Sequence, residues 1–135
     1  MKRKTLIILG VILLIIIMAA IAGKMIISNI EQNLNDLTLV NIDEVDLSKL
    51  ADGTYNGSYK AFPVEAEVNV TVKDNQITGI QLVRHNNGKG GGAEAILSEV
   101  VEKDSIMVDA VTGATYSSKV ILKAIENALN NAPNE

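Results

Sequence analysis

An uncharged, apolar run from Thr5 to Ala22 lies near the N-terminus, and this run constrains the fold more than any other feature. A helix rises about 1.5 Å per residue, so the run is long enough to cross a hydrocarbon layer about 30 Å thick. Lys2, Arg3 and Lys4 precede the run, whereas only Lys24 follows it closely. Because basic residues favour the cytoplasmic side, the sequence predicts one transmembrane helix with a cytoplasmic N-terminus.

A cleaved signal peptide is the alternative interpretation, because Ala20-Ile21-Ala22 resembles the small-x-small site that signal peptidase accepts. A signal core usually spans about 7 to 15 apolar residues. The run here is longer, and Ile26 and Ile27 extend it further. A retained anchor over residues 1–27 is therefore favoured. It predicts a single-pass protein of the cell membrane whose C-terminal domain is extracytoplasmic.

Composition excludes several classes of site and partner. The chain has no Cys, which removes disulfides, thiolate metal sites and iron–sulfur clusters. All 16 acidic residues follow the anchor, with only 8 of the 12 basic residues, so the exported part carries a net charge of −8. Binding to nucleic acid requires a basic face that neutralises phosphates. No nucleic-acid partner is therefore expected.

Residues 28–49, after the anchor, are predicted to form a juxtamembrane stalk followed by an acidic connector. Four apolar residues have the spacing of helical a and d positions: Ile27, Ile30, Leu34 and Leu37. This stripe either pairs with a neighbouring membrane subunit or packs on the protein's own domain, and fewer than two heptads do not distinguish the two. The compact domain is expected to begin near Leu50.

Alternating apolar and polar residues predict a small antiparallel sheet early in the domain of residues 50–135. The clearest strand is Val64 to Val72, where every second residue is Val or Ala. The turn residues Asp74-Asn75 follow it and predict a hairpin. The resulting three-stranded meander has these parts: a strand around Tyr55 and Tyr59 broken by Gly57, the strand Val64 to Val72, and a strand from Ile77 to His85 with a bulge at Gly79.

Helical spacing returns after the strands and predicts two helices. The first runs from Ala93 to Lys103, and the second begins after Thr115. Val108 to Val111, between them, is too short to be more than a strand or a connector. The second helix has a charged stripe that is expected to face water: Lys119, Lys123 and Glu126. The fold class is therefore α+β, a small antiparallel sheet of three or more strands packed by two helices.

The turn before the last helix is the best candidate for a binding site. Gly113 and Ala114 let the backbone approach a ligand closely, and a helix start offers N–H groups and a positive dipole end to a phosphate. The alternative is that Thr115 or Ser117 only caps the helix, which is worth about 1 kcal/mol. The single His, His85, is more typical of a strand-end residue with a backbone partner than of a ligand. No catalytic set and no metal cluster is expected.

The residues of this turn resemble a motif of a known family. Asp109, Thr112, Gly113, Ala114 and Thr115 form the sequence Asp-x-x-Thr-Gly-Ala-Thr. It resembles the flavinylation motif of the FMN-binding domain family, which includes the C subunit of sodium-pumping NADH:quinone oxidoreductase and the G subunit of the Rnf complex. In that family the last Thr or Ser takes FMN through a phosphoester bond, installed by a magnesium-dependent flavin transferase that uses FAD. The resemblance implies covalent FMN on Thr115.

The resemblance extends over nearly the whole soluble domain. His85, Gly90 and Gly92 match a His followed by a Gly-x-Gly loop, and the resemblance implies that they contact the flavin. The larger respiratory subunits have Glu-Thr-Pro where this chain has Asn87-Gly88-Lys89, so short stand-alone members are more similar. Tyr116 follows the attachment residue and either stacks on the flavin ring or packs in the core.

The resemblance implies an electron carrier more than a stand-alone enzyme. Electrons would arrive from a membrane donor and leave to an unidentified acceptor, so no catalytic residue is expected. One alternative is a subunit that keeps the fold without flavin and serves assembly. Another is a reductase that acts on a small extracellular substrate, for which the sequence offers no general acid.

Overall fold

The computed structural model describes residues 2–86 and 91–133. Its contacts divide the chain into two compact units, Met1–Asn33 and Leu34–Glu135. The first unit is formed by most of helix α1 (Lys2–Leu39), whose apolar side chains are exposed. In the described part of the chain, α1 is the one helix that is long and apolar enough to cross a membrane, and the mean hydropathy of its 18-residue apolar window is 3.2.

The second unit contains the predicted three-stranded antiparallel sheet, in the order β1-β2-β3. Its strands are β1 (Gly53–Ala61), β2 (Val64–Lys73) and β3 (Gln76–Asn86). The predicted alternation of β2 is confirmed, because its apolar residues are buried and its polar residues are partly exposed. The turn before β3 has positive φ at Asp74 (52°) and Asn75 (64°), as in a type I′ hairpin turn.

Two glycines of the sheet have different structural roles. The register between β2 and β3 skips Thr78, beside Gly79, which confirms the predicted bulge. The break predicted at Gly57 is wrong, because β1 is continuous through this residue. Gly57 is buried under a helix, where a Cβ atom would lie 2.6 Å from Ala128 Cα and also against Ala124 O. Glycine is needed there for close backbone approach.

Two helices complete the α+β fold, as predicted. They are α2 (Ile96–Lys103), which packs on β3, and α3 (Thr115–Asn130), which packs on β1 and β2. A short 3-10 turn, Gly91–Ala95, leads into α2, so the predicted helix is α-helical only from Ile96. The segment 108–111 is a connector.

The last turn of α1 lies in the second unit and contributes to its core. Leu37 is 1% exposed and belongs to the apolar cluster of the domain. Of the two alternatives for the apolar stripe, pairing with another subunit or packing on the protein's own domain, Leu37 therefore has the second. The side chain of Leu34 lies outside the described part of the chain. The predicted boundaries after residues 27 and 49 stay predictions.

The charged stripe of α3 is not exposed, so that prediction is wrong. Glu126 is 4% exposed, and Lys123 Nζ lies 2.8 Å from both of its carboxylate oxygens. Lys119 Nζ donates to Leu37 O at 3.2 Å, and Lys123 Nζ donates to Asn41 O at 3.3 Å. The chain that follows α1 therefore lies along this face of α3, and the two lysines satisfy carbonyl groups that it carries.

Candidate functional site

A tight turn leads into α3 and is built around one glycine. Ala114 N–H donates to Val111 O at 2.9 Å, which closes the turn. Gly113, its third residue, has φ of +81°. This combination is that of a type II turn, which favours glycine at the third position because side chains with a Cβ rarely adopt positive φ. The Gly of the motif is therefore required by the backbone.

Ser118 holds this turn against the helix that follows it. Its hydroxyl donates to Ala114 O at 2.9 Å and accepts from Val111 N at 3.0 Å. The side chain is fully buried, so both hydrogen bonds are shielded from water. Ser118 is not among the site residues that were predicted from the sequence. The available signal was its spacing, because Ser118 lies one helical turn after Ala114 and reaches back to its carbonyl.

The first turn of α3 has no side-chain cap. Ala114 is the N-cap residue, with φ of −133° and ψ of 31°, and it has no side-chain oxygen that could accept a hydrogen bond. The alternative that Thr115 or Ser117 is the cap is therefore wrong, because both lie inside the helix. The first N–H groups of a helix have no intrahelical acceptor. They and the positive dipole end remain available to an anion.

Exposure distinguishes the hydroxyl groups around this helix start. Thr112 and Thr115 are exposed, whereas Ser117 and Ser118 are 3% and 0% exposed. Of the two exposed threonines, Thr115 is the first residue of α3, and Thr112 lies in the preceding turn. Tyr116 is 39% exposed, so the alternative that its ring packs in the core is wrong. Thr115 thus combines an accessible hydroxyl with the uncapped helix start.

Asp109, the first residue of the motif, is exposed. Its charge acts on the pKa of Lys103, the last residue of α2. The hydrogen bond that Lys103 donates to Glu99 is the main cause that raises the pKa of Lys103, and the charge of Asp109 adds a smaller contribution. Asp109 is therefore close enough to α2 for its charge to act on Lys103.

His85 lies near the end of β3. The His85 side chain is 2% exposed, and its Nδ1 atom lies 3.2 Å from Glu94 Oε1. Glu94 belongs to the 3-10 turn Gly91–Ala95, which packs against α3. Gly92 is exposed in the same turn. Gly90 lies outside the described residues.

The direction of α3 brings Thr115 to the end of the domain where His85 lies. Two hydrogen bonds show that α3 and β1 are antiparallel: Asn127 Nδ2 to Ser58 O at 2.9 Å, and Asn131 Nδ2 to Asn56 O at 3.4 Å. The start of α3 therefore lies toward the end of β1, where β2 begins. Asn86, at the end of β3, pairs with Glu65 near the start of β2. Thr115 and His85 are thus at the same end of the sheet.

Thr115 is exposed at the start of α3. A cavity of about 290 Å³ lies at the other end of this helix, where Leu129 and Asn130 line it, and Thr115 does not. Within residues 2–86 and 91–133, no group of three or more His, Cys, Asp or Glu side chains could hold a metal ion.

Comparison with known proteins agrees with this geometry. A family model described as FMN-binding domain matches residues 63–130, about half of the chain. The matched range extends from the start of β2 to the end of α3, so it includes both His85 and Thr115. The match supports flavin binding, with FMN as the cofactor. A comparison with curated proteins found no match.

Proposed function

Because the chain belongs to the FMN-binding domain family, we propose that it is a membrane-anchored flavoprotein that carries FMN on Thr115 and relays electrons outside the cytoplasm. One observation carries the attachment site: Thr115 is an exposed hydroxyl residue at the first position of a helix that has no side-chain cap. The basic residues at the start of α1 and the length of its apolar run support the anchor and its orientation.

The residues around Thr115 fit a phosphoester. The N–H groups at the start of α3 can donate hydrogen bonds to the phosphate oxygens, and the helix dipole favours the negative charge. Gly113 and Ala114 have little or no side chain that could obstruct a ligand. The hydroxyl of Ser118 holds the turn in place through its two hydrogen bonds. The neighbouring hydroxyls of Ser117 and Ser118 are buried. A modifying enzyme therefore has access to Thr115 and not to these two residues.

The attachment reaction requires a separate flavin transferase that uses FAD and magnesium. The Thr115 hydroxyl would attack the phosphorus on the FMN side of the FAD pyrophosphate. The Oγ–P bond forms, the pyrophosphate P–O bond breaks, AMP leaves, and the hydroxyl proton is released. Covalent attachment suits an exported carrier, because a reversibly bound cofactor dissociates into a dilute exterior by mass action.

Bound FMN supplies the ability to accept and release electrons. The protein's own contribution is to hold the cofactor at an exposed helix start, where a second protein can approach it. We expect a membrane-bound donor and a separate acceptor, because the described residues offer no general acid or nucleophile set beside Thr115 for chemistry on a substrate. The anchor keeps the domain near a donor in the membrane.

Intact-mass analysis of the full-length chain, coexpressed with a flavin transferase, tests the attachment site. The wild-type protein is expected to gain the mass of one FMN moiety, and Thr115→Val is expected to lose it because it removes the hydroxyl at unchanged size. Thr115→Ser is the matched control, since it keeps a hydroxyl at the helix start and should be modified. A flavin-fluorescent band on a denaturing gel reports the same bond independently.

An unmodified wild-type mass under these conditions would contradict the proposal. So would a Thr115→Val protein that still carries the flavin, because the bond would then be to another residue.

A further inference from the structure

The chain has four aromatic residues, three Tyr and one Phe, and they divide into two pairs. Tyr55 and Tyr59, on β1, are partly buried and pack against the apolar core. Phe62 and Tyr116 are exposed instead, by 51% and 39%. Phe62 lies in the turn between β1 and β2, and Tyr116 is the second residue of α3. The sequence patterns did not indicate Phe62, and the core does not account for its ring.

The turn that contains Phe62 lies at nearly the same level along the sheet as Thr115. Because α3 and β1 are antiparallel, the hydrogen bond from Asn127 to Ser58 marks a level that both elements share. Thr115 lies 12 residues before Asn127, which is about 18 Å of helix at about 1.5 Å per residue. Phe62 lies four residues after Ser58, which is about 13 Å of strand at about 3.3 Å per residue. The two levels therefore differ by about 5 Å.

The lateral position of the helix agrees with this estimate. α3 packs on both β1 and β2, and Phe62 lies in the turn that connects these two strands. Both exposed aromatic side chains are therefore at the end of the domain where α3 begins. One is next to the attachment residue Thr115, and the other is on a different element.

We propose that Phe62 is a flavin-contacting residue, on whose ring the isoalloxazine of an FMN attached to Thr115 stacks. The proposal rests on the proposed function. The phosphate and the ribityl chain separate the isoalloxazine from the Thr115 hydroxyl, so the ring system lies against side chains around this residue. Oxidised isoalloxazine is flat and uncharged, and a Phe ring offers it an apolar face without a polar group that would lose its hydrogen bond to water.

An introduced Trp tests whether position 62 contacts the flavin. The chain has no Trp, and an indole in contact with an excited flavin quenches its fluorescence by electron transfer. We would place Phe62→Trp in a Tyr116→Phe background, which removes the neighbouring phenol and keeps its ring. The full-length protein is coexpressed with a flavin transferase and purified in detergent. An aromatic stack of ordinary strength favours the stacked ring about fivefold, so fluorescence per attached flavin should fall by about that factor.

Gln76→Trp in the same background is the matched control. Gln76 is also exposed, and it is the first residue of β3. It lies at the opposite end of β2 from Phe62, and this strand of 10 residues is about 33 Å long. An indole at position 76 is therefore too far from Thr115 to contact the flavin, and the fluorescence should stay unchanged.

A second pair of variants tests the aromatic face without adding a quencher. Phe62→Leu keeps an apolar side chain and removes the π system, so we expect the visible circular dichroism of the attached flavin to decrease. Phe62→Tyr keeps the ring and should retain the signal. Phe62 is exposed, and a thermal melt of each variant establishes that the fold is retained.

The intact mass of each sample separates failure of this inference from failure of the proposed function. Equal fluorescence of the Phe62→Trp and Gln76→Trp proteins, both with FMN attached, would overturn the stack and leave the attachment site standing. Unchanged circular dichroism in flavinylated Phe62→Leu would overturn the stack as well. A wild-type chain without the added FMN mass would overturn both proposals, because the stack requires the ring to be attached at Thr115.

Discussion

Replacing Gly57 by Ala tests whether close contact between β1 and α3 positions the helix that begins at Thr115. The Ala Cβ atom would lie 2.6 Å from Ala128 Cα, and it would also meet Ala124 O and Ala128 N. Ordinary contact for a Cβ atom begins at 3.4 Å. The obstructing atoms belong to the backbone, so no side chain can rotate away. The helix must therefore move off the sheet by at least about 0.8 Å, the difference between these two distances, because Ala124 O and Ala128 N lie closer still.

The cost of Gly57→Ala follows from this displacement. A gap of about 0.5 to 1 Å loses about a quarter to a half of the dispersion attraction between facing groups. Adding a methyl group to a packed core usually costs about 1 to 3 kcal/mol. We expect about 3 kcal/mol, the upper end of that range, because the helix backbone cannot repack. For a domain of about 100 residues, this loss lowers Tm by about 12 °C or more.

Thermal and urea unfolding of the full-length protein in detergent, followed by circular dichroism, measures this loss. Gly79→Ala is the matched control, because within the described chain no heavy atom lies within 4 Å of the Cβ position. We expect it to change the free energy of unfolding by no more than about 0.5 kcal/mol. Equal stability of Gly57→Ala and Gly79→Ala would show that α3 tolerates displacement and would refute the reasoning.

Two further predictions concern a buried hydroxyl and an exposed carboxylate. Ser118→Ala leaves the Val111 N–H without its acceptor, so we expect a loss of about 1 to 2 kcal/mol in urea unfolding and less FMN per chain after coexpression. The hydrogen bond from Lys49 is the main cause that lowers the pKa of Asp46 from 3.8 to about 2. Its folded pKa lies below the unfolded value, so the stabilisation is present above about pH 4 and is lost as the pH falls through about 2.

Each of these predictions has a control and a contradicting result. Ser98, an exposed hydroxyl residue of α2, serves as the control for Ser118, and equal flavin content and stability of the two Ala variants would contradict the role of the turn. Carboxyl carbon shifts titrate Asp46 directly, and Lys49→Met should raise its midpoint toward 3.8. A wild-type midpoint near 3.8 would contradict the hydrogen bond.

The parts of the fold that sequence patterns predicted are those set by neighbouring residues. The alternation from Val64 to Val72 specifies a strand with one buried face, and Asp74-Asn75 specifies the hairpin turn after it. Both signals are local, because side-chain direction repeats every two residues in a strand. The last helix was predicted in the same way, from a periodic apolar stripe that follows a run of small residues, with a start after Thr115, whereas the helix begins at this residue.

The cap of the last helix was ambiguous in the sequence because several residues near its start could serve as the cap. Thr115 and Ser117 are both good capping residues, yet Ala114 occupies the cap position. The turn closed by Gly113 and Ser118 sets where the helix begins, and it leaves the first N–H groups without a side-chain acceptor. The hydrogen bonds of several residues together therefore set the first residue of the helix, and the capping preference of a single residue does not predict it.

The sequence by itself determined the long apolar first helix, the meander, the two helices of the domain and the position of the motif, because hydrophobic period and turn chemistry act between near neighbours. The tertiary structure decided the burial of Glu126, the need for glycine at position 57 and the pairing of His85 with Glu94. Ala124 and Ala128, which pack on Gly57, are far away in the chain, and Lys119 and Lys123 reach carbonyl groups of residues 37 and 41. Their contacts exist only after α3 has packed on the sheet, and so they depend on the fold of the whole domain.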